Sequence, residues 1–299
     1  MLIKPFILYT GWFQVFILNS QFSILKSMET LLGKTLNELQ QIVAELAMPK
    51  FVAKQLTNWL YQKKVSSFDE MTNISANHRK ILAEKYNIGR NDFITKQESI
   101  DGTIKYLFPA GNGKSIESVY IPDKERATLC VSSQIGCKMN CLFCMTGKQG
   151  FSGQLTSAEI LNQIISIPET DSLTNIVFMG MGEPLDNIDE LFKSLEILTS
   201  DYGFAWSPRR ITVSTIGITP ALKRFLEESK VHLAISLHSP YHLERESLMP
   251  IEKAYPAAEI IDLIKLHDFS KQRRVSFEYI VFEGLNDDFK HALDRKSVV

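Results

Sequence analysis

Ala127-Thr-Leu-Cys130-Val-Ser-Ser-Gln-Ile-Gly-Cys137-Lys-Met-Asn-Cys141-Leu-Phe-Cys144 opens as a short apolar run and breaks into a loop carrying cysteines at C-x3-C-x2-C spacing. Residues 127–132 read as a strand, and the same rhythm repeats downstream. Strands are expected at 175–179, 210–214, 232–237 and 274–281, each separated from the next by a helical stretch. Alternating strand and helix marks a parallel sheet with crossover helices, so the fold class is α/β. Thr156 with Glu159 predicts a capping box at one helix head. Thr219 before Pro220 predicts a capping hydroxyl followed by proline at the first helical position. Five strands and four complete crossovers fit into 127–293, while 294–299 falls outside the pattern.

Upstream the period is helical. Leu36, Leu39, Val43 and Leu46 share one face; Val52, Leu56, Trp59 and Leu60 share another after a break at Pro49. Residues 28–90 therefore read as a small helical domain. Lys50, Lys54, Lys63, Lys64, Arg79 and Lys80 decorate it, either as an ordinary solvated face or as contacts to RNA. Residues 91–126 form a short β linker: strands at 93–99 and 103–108 meet across Ile100-Asp101-Gly102, where Asp-Gly supplies positive φ angles, and a third follows at 115–121. The first 27 residues contain an apolar run from Pro5 to Leu18, too short for the roughly 20 residues of a membrane span and lacking a small-x-small cleavage site. They read as a non-native leader ahead of Met28, as a packed extension or as a targeting segment, and stay outside the fold argument.

A hydrophobic content of 44% excludes a disordered chain, and a net charge of -1 excludes a whole-molecule basic field, so any nucleic-acid surface is local. All cysteines lie within residues 130–144. That clustering argues against a secreted disulfide framework and for a metal or redox site in a reducing, cytoplasmic compartment.

Three thiolates at this spacing can wrap one corner of a [4Fe-4S] cubane and leave the fourth iron without a protein ligand. An open iron can be chelated by the amino and carboxylate groups of S-adenosylmethionine (SAM). One electron delivered through it then breaks the sulfonium C–S bond to give a 5′-deoxyadenosyl radical. Zinc is the alternative, with Cys130 as fourth ligand, although no histidine lies between His78 and His232 to complete a local site.

The sequence 130–144, with Met179-Gly-Met-Gly-Glu-Pro184, Ser214-Thr215 and Ser236-Leu-His238, closely resembles the RlmN group of radical-SAM RNA methyltransferases, and the related Cfr enzymes share much of it. The likeness runs from about Met28 to Asp288. It implies a partial (βα)6 barrel, C-terminally incomplete here, and an N-terminal helical domain for RNA. The implied reaction is methylation of adenine C2 in 23S rRNA and tRNA through a methyl-cysteine intermediate. By position it implies cluster ligands Cys137, Cys141 and Cys144, and SAM contacts Gly182, Glu183, Ser214, Ser236, Leu237 and His238. Glu117 becomes a proton acceptor and Cys130 a cysteine that resolves a covalent enzyme–RNA intermediate. On the residues alone, Gly-Glu-Pro would be a plain strand-to-helix turn, Glu117 a surface carboxylate and Cys130 a small core residue. The resemblance further implies a monomer served by an external electron donor such as flavodoxin.

The chain departs from the family in having no cysteine after Cys144. A truncated or misjoined reading frame is expected, with methyl transfer by the natural gene product and not by this polypeptide. The missing strand should also expose a sheet edge and lower solubility. Two other functions fit fewer of these residues: a radical-SAM enzyme with a non-RNA substrate, and a zinc-bound RNA-binding module without catalysis.

Overall fold

The computed structural model describes residues 28–269, 274–291 and 293. The apolar leader at 1–27 and the final 294–299 lie outside the described residues. Thr35 opens the first helix: its hydroxyl accepts the Glu38 amide while the Glu38 carboxylate accepts the Thr35 amide at 2.7 Å. This helix, α1 (Leu36–Glu45), buries Leu39, Ile42 and Val43 on one stripe. α2 (Phe51–Thr57) follows Pro49 and widens into a π turn over Asn58–Gln62 that buries Trp59, Leu60 and Tyr61. After α3 (Ala76–Lys85), a parallel pair of short strands, β1 (Glu29–Thr30) and β2 (Tyr86–Asn87), ties the two ends of the segment together.

β3 (Thr95–Glu98), β4 (Ile104–Ala110) and β5 (Lys114–Asp123) form an antiparallel meander. Its turn uses Gly102 at φ +83°, while Asp101 Oδ1 accepts the Thr103 amide at 3.0 Å. Only the glycine of the Asp-Gly pair takes a positive φ; the aspartate contributes its side chain instead. β5 pairs antiparallel with β6 (Arg126–Cys130), so the meander continues the main sheet.

From β6 the sheet turns parallel. β9 (Asn175–Phe178), β10 (Ile211–Thr215), β11 (His232–Ser236) and β12 (Val275–Glu278) follow in order. The eight-stranded order is β12-β11-β10-β9-β6-β5-β4-β3. The crossovers carry α5 (Ser157–Ile165), α6 (Ile188–Thr199), α7 (Thr219–Glu228), and then α8 (His242–Leu248) with α9 (Ala257–Leu266). Leu129, Ile176, Phe178, Val213, Leu233 and Ile235 are buried in one core with Ile160, Leu191, Phe225 and Ile260 of the helices. Each such side chain contributes about 1.5–3 kcal/mol. The parallel part with its crossover helices is what the alternating pattern predicts, and the antiparallel meander joins it through β5 and β6 into one mixed sheet.

The capping box at Thr156 and Glu159 is present. The Thr219 cap is not: Thr219 is already the first helical residue, Ile218 precedes it, and no side chain caps the end. Proline lacks an N–H and is at ease anywhere in the first turn, so Pro220 fixes the start of α7 without a hydroxyl.

Candidate active site

The cysteine loop is the closed end of a β-ribbon. β7 (Gln134–Gly136) and β8 (Phe151–Gln154) pair antiparallel, with α4 (Met145–Lys148) inside the loop between them. Gly136, at φ +78°, makes the ribbon possible, because a Cβ there would collide with the Gly150 carbonyl oxygen. The Cys137 amide then donates to that same oxygen at 3.1 Å, and the Leu142 amide donates to the Leu248 carbonyl at 2.9 Å. Cys137, Cys141 and Cys144 lie in one apolar cluster with Ile216, Leu248, Met249 and Phe282. All are free thiols, and burial pushes Cys137 up to about 11 and Cys141 up to about 12. Metal binding must therefore displace thiol protons from an apolar pocket.

Among the described residues, no three His, Cys, Asp or Glu side chains converge on a point suited to one metal ion. A zinc site needs such convergence. Cys137, Cys141 and Cys144 nonetheless share one apolar cluster of the loop, an all-thiol donor set of the kind that holds iron–sulfur clusters.

Glu183 is the structural hub of the neighbouring loop. It is buried; Oε1 accepts the Leu185 amide at 3.0 Å and the Thr215 hydroxyl at 2.5 Å, and Oε2 accepts the Ile216 amide at 3.0 Å. The carboxylate thereby pins the end of β9 to the end of β10 and keeps one acceptor position, on Oε2, for a further donor. Gly182, at φ +100°, brings the backbone against Gln134, which a Cβ would overlap. Gln134 Oε1 in turn accepts the Glu183 amide at 2.8 Å.

Burial raises Glu183 to about 7, against the three hydrogen bonds that favour its charged form. The unfolded chain gives up this proton near the ordinary carboxylate value, while the folded chain keeps it to about 7. Stability from this group therefore falls as pH rises from about 4.5 to about 7 and is level above that. In the cluster-free protein, Glu183→Gln is expected to flatten the fall of melting temperature across that window. Parallel profiles for wild type and variant would refute the assignment.

The SAM-contact candidates gather at the same strand ends. Ser214 ends β10, Ser236 ends β11, and both hydroxyls donate to Glu278 Oε2, at 2.7 and 3.0 Å. Leu237 is fully buried, so only its backbone is usable, and its carbonyl already accepts Arg245 Nε at 3.1 Å. His238 sits at φ +59° with its ring edge-on to Phe143 at 5.0 Å. Its Nδ1 accepts the Ile280 amide at 3.2 Å, and burial holds the ring down at about 4. The imidazole is therefore neutral at pH 7, with its proton on Nε2. The buried Asn286 braces this turn by donating Nδ2 to the His238 carbonyl at 2.7 Å.

Cys130 ends β6; burial raises its thiol to about 11, a Met179 backbone hydrogen bond opposes the rise, and the Glu278 charge adds to it. Glu117 stands apart from the polar group. Its carboxylate pairs with Lys105 at 3.0 Å on the half-exposed face of the meander, though its amide reaches Met181 Sδ at 3.4 Å. Glu278, Arg245, Asn286 and Gln134 are site-forming residues that the sequence reading missed; only Glu278, a charge ending an otherwise apolar strand, left a visible signal.

A family model for the radical SAM superfamily matches residues 131–295, and one for the ribosomal RNA large subunit methyltransferase N-terminal domain matches residues 30–88. The probable dual-specificity RNA methyltransferase RlmN of Parabacteroides distasonis is 66% identical over 262 residues, 88% of this chain and 76% of that protein. The chain belongs to the RlmN family of radical-SAM RNA methyltransferases. The likeness to RlmN extends to Campylobacter curvus, whose dual-specificity RNA methyltransferase is 42% identical over 89% of this chain and 76% of its own length. The crystal structure of a radical SAM methyltransferase from Sphaerobacter thermophilus superposes with a TM-score of 0.84 at 35% identity, covering 90% of this chain and 81% of that one. The RlmN N-terminal match covers α1–α3, and the radical-SAM match covers the cysteine loop and β9–β12. Among the described residues no helix is long and apolar enough to cross a membrane.

Proposed function

We propose that the natural gene product to which this chain belongs methylates C2 of adenine in 23S rRNA and tRNA, with Cys137, Cys141 and Cys144 holding a [4Fe-4S] cluster and SAM lying across the ends of β9–β12. One observation carries the reading: the cysteine loop packs onto the same strand ends that present the SAM candidates, through Ile216 beside the thiols and Phe143 against His238. When bound, the cluster supplies the electron that lets SAM modify a carbon too electron-poor for ordinary methyl transfer.

The chain's own residues set the surroundings. Ile216, Leu248, Met249 and Phe282 keep water from the thiols. Gly182 and Glu183 shape the loop, and Glu183 retains one acceptor position for a SAM donor. Neutral His238 offers Nε2–H. Glu117, on β5 and paired with Lys105, serves as the proton acceptor, and Cys130 offers a protonated thiol at the end of β6. Residues 28–90 serve as the RNA-binding accessory domain, 91–126 as the linker and 127–293 as the radical-SAM barrel. Of the six basic residues read there as RNA contacts, Lys64 is spent on Asp171 at 2.5 Å and Arg79 on the Asp69 carbonyl at 2.6 Å. Lys50 and Lys54 remain exposed on either side of an exposed Phe51, a basic and aromatic crest suited to single-stranded RNA. The enzyme acts as a cytoplasmic monomer reduced by a flavodoxin-like donor. The methyl-carrying cysteine of the family's route is not among these 299 residues, whose cysteines all lie in 130–144.

In host cells whose gene carries Cys137→Ala, 2-methyladenosine should disappear from digests of both 23S rRNA and tRNA while other methylated nucleosides persist. Mass spectrometry of nucleosides reads this directly, and its persistence in either RNA overturns the assignment for that RNA.

A further inference from the structure

Glu278 ends β12 directly opposite Ser236. Its Oε2 accepts two hydroxyls at once, from Ser214 on β10 and Ser236 on β11. A carboxylate has no proton to give, so each serine spends its single hydroxyl hydrogen on Glu278 and can offer a ligand only lone pairs. Oε1 has no partner among the described residues. Glu278, Ser214 and Ser236 together make an acceptor-only patch across three adjacent strand ends. Such a patch repels a carboxylate and fits a group that presents neighbouring donors.

SAM has such donors in its ammonium, its ribose diol and its adenine amino group; position separates the ammonium from the nucleoside end, and deoxy analogues tell the diol from the adenine. Glu183 Oε2 holds the amide of Ile216 at 3.0 Å, and Ile216 packs in one cluster with Cys137, Cys141 and Cys144, so Glu183 stands at the cluster end of the site. Glu278 instead sits at the end of the edge strand β12 and holds Ser214 and Ser236. The amino and carboxylate groups of SAM belong at the cluster end, where iron would chelate them. That leaves the nucleoside end for Glu278, and a carboxylate near a strand end that takes a ribose hydroxyl is a pairing that nucleotide sites use elsewhere.

We propose that Glu278 is the ribose anchor of the SAM site, accepting one ribose hydroxyl on Oε1 and fixing Ser214 and Ser236 as acceptors for its neighbour. The assignment rests on the SAM reading under Proposed function. Fixing the serines matters as much as the direct bond, because without Glu278 each hydroxyl could rotate and present its hydrogen to the diol.

The test is equilibrium binding without reductant, so that nothing turns over, of SAM and its 2′-deoxy and 3′-deoxy analogues to the cluster-reconstituted protein. Wild type should bind SAM about 10–100-fold more tightly than at least one analogue, the range of a hydrogen bond to a charged group. Glu278→Gln should lose a similar factor for SAM and bind SAM and analogues nearly alike, with iron and sulfide content unchanged. Wild-type discrimination surviving in Glu278→Gln overturns the anchor and leaves the SAM reading standing. Should Glu278→Gln fail to fold, the wild-type ratios decide: equal affinity for SAM and both analogues overturns the anchor. A reconstituted wild type that binds no SAM overturns the SAM reading and the anchor with it.

Discussion

Cys141→Ala is expected to abolish uptake of iron and sulfide on anaerobic reconstitution, while Cys130→Ala leaves it at the wild-type level. The contrast follows from where the two thiols sit. Cys141 is buried in the apolar cluster that also holds Cys137 and Cys144, on a loop tied by the Leu142 amide to the end of α8. Cys130 belongs to β6, outside that loop, and its thiol interacts with the Met179 backbone and Glu278. Removing one of three thiolates leaves two, too few to hold a cubane against dissociation. Removing Cys130 touches none of the three. Alanine keeps the apolar character of both positions and the Cys141 cavity is small, so a cost of only about 1 kcal/mol is expected and the fold should survive. Iron and sulfide analysis with the visible absorption of the cluster reads the outcome. Equal loss in both variants would make Cys130 a fourth ligand, and the open iron on which SAM chemistry depends would not exist.

The parts of this molecule legible in the sequence are those whose cause is local. Strands such as Ile211–Thr215 and His232–Ser236 are buried on both faces, so they read as apolar runs whatever they pair with. Thr156 and Glu159 announce a helix start because their bonds span three residues. The cysteine array is legible because ligand type and spacing are themselves the chemistry. Glu183 was locatable, yet its environment was not: Thr215 and Ile216, which share its carboxylate, lie on the next strand of the sheet. The same holds for Glu278, whose serine partners are 42 and 64 residues away, and for Asn286, which braces His238 from 48 residues away. Pattern reading sees one element at a time, and these residues act between elements.

Arg245 carries that point furthest, and Arg245→Met should lower the melting temperature by roughly 10 °C. Its side chain is fully buried; Nη1 pairs with the buried Glu252, Nε donates to the Leu237 carbonyl at 3.1 Å, and Nη2 donates to the Ile216 and Ser236 carbonyls at 3.1 and 3.0 Å. One guanidinium thus closes the open ends of β10 and β11, directly beneath Ser236. Methionine fills similar volume but takes the guanidinium from the Ile216 and Ser236 carbonyls, leaves the Leu237 carbonyl to the Ser239 amide at 2.7 Å, and leaves Glu252 with His242 Nδ1 at 2.8 Å in place of its buried guanidinium. Breaking a buried pair from one side costs about 3–5 kcal/mol, and each kcal/mol lowers melting by about 2–4 °C in a chain of 150–250 residues. Adding Glu252→Gln removes the stranded charge while keeping an acceptor for the Ala257 amide, which Glu252 holds at 3.0 Å. The double variant should therefore regain much of the lost stability. It should not regain SAM affinity, because the Ser236 carbonyl still lacks the guanidinium that holds it. Recovery of both together would mean that Arg245 only balances Glu252, and a single-variant melting temperature within about 2 °C of wild type would remove the brace altogether.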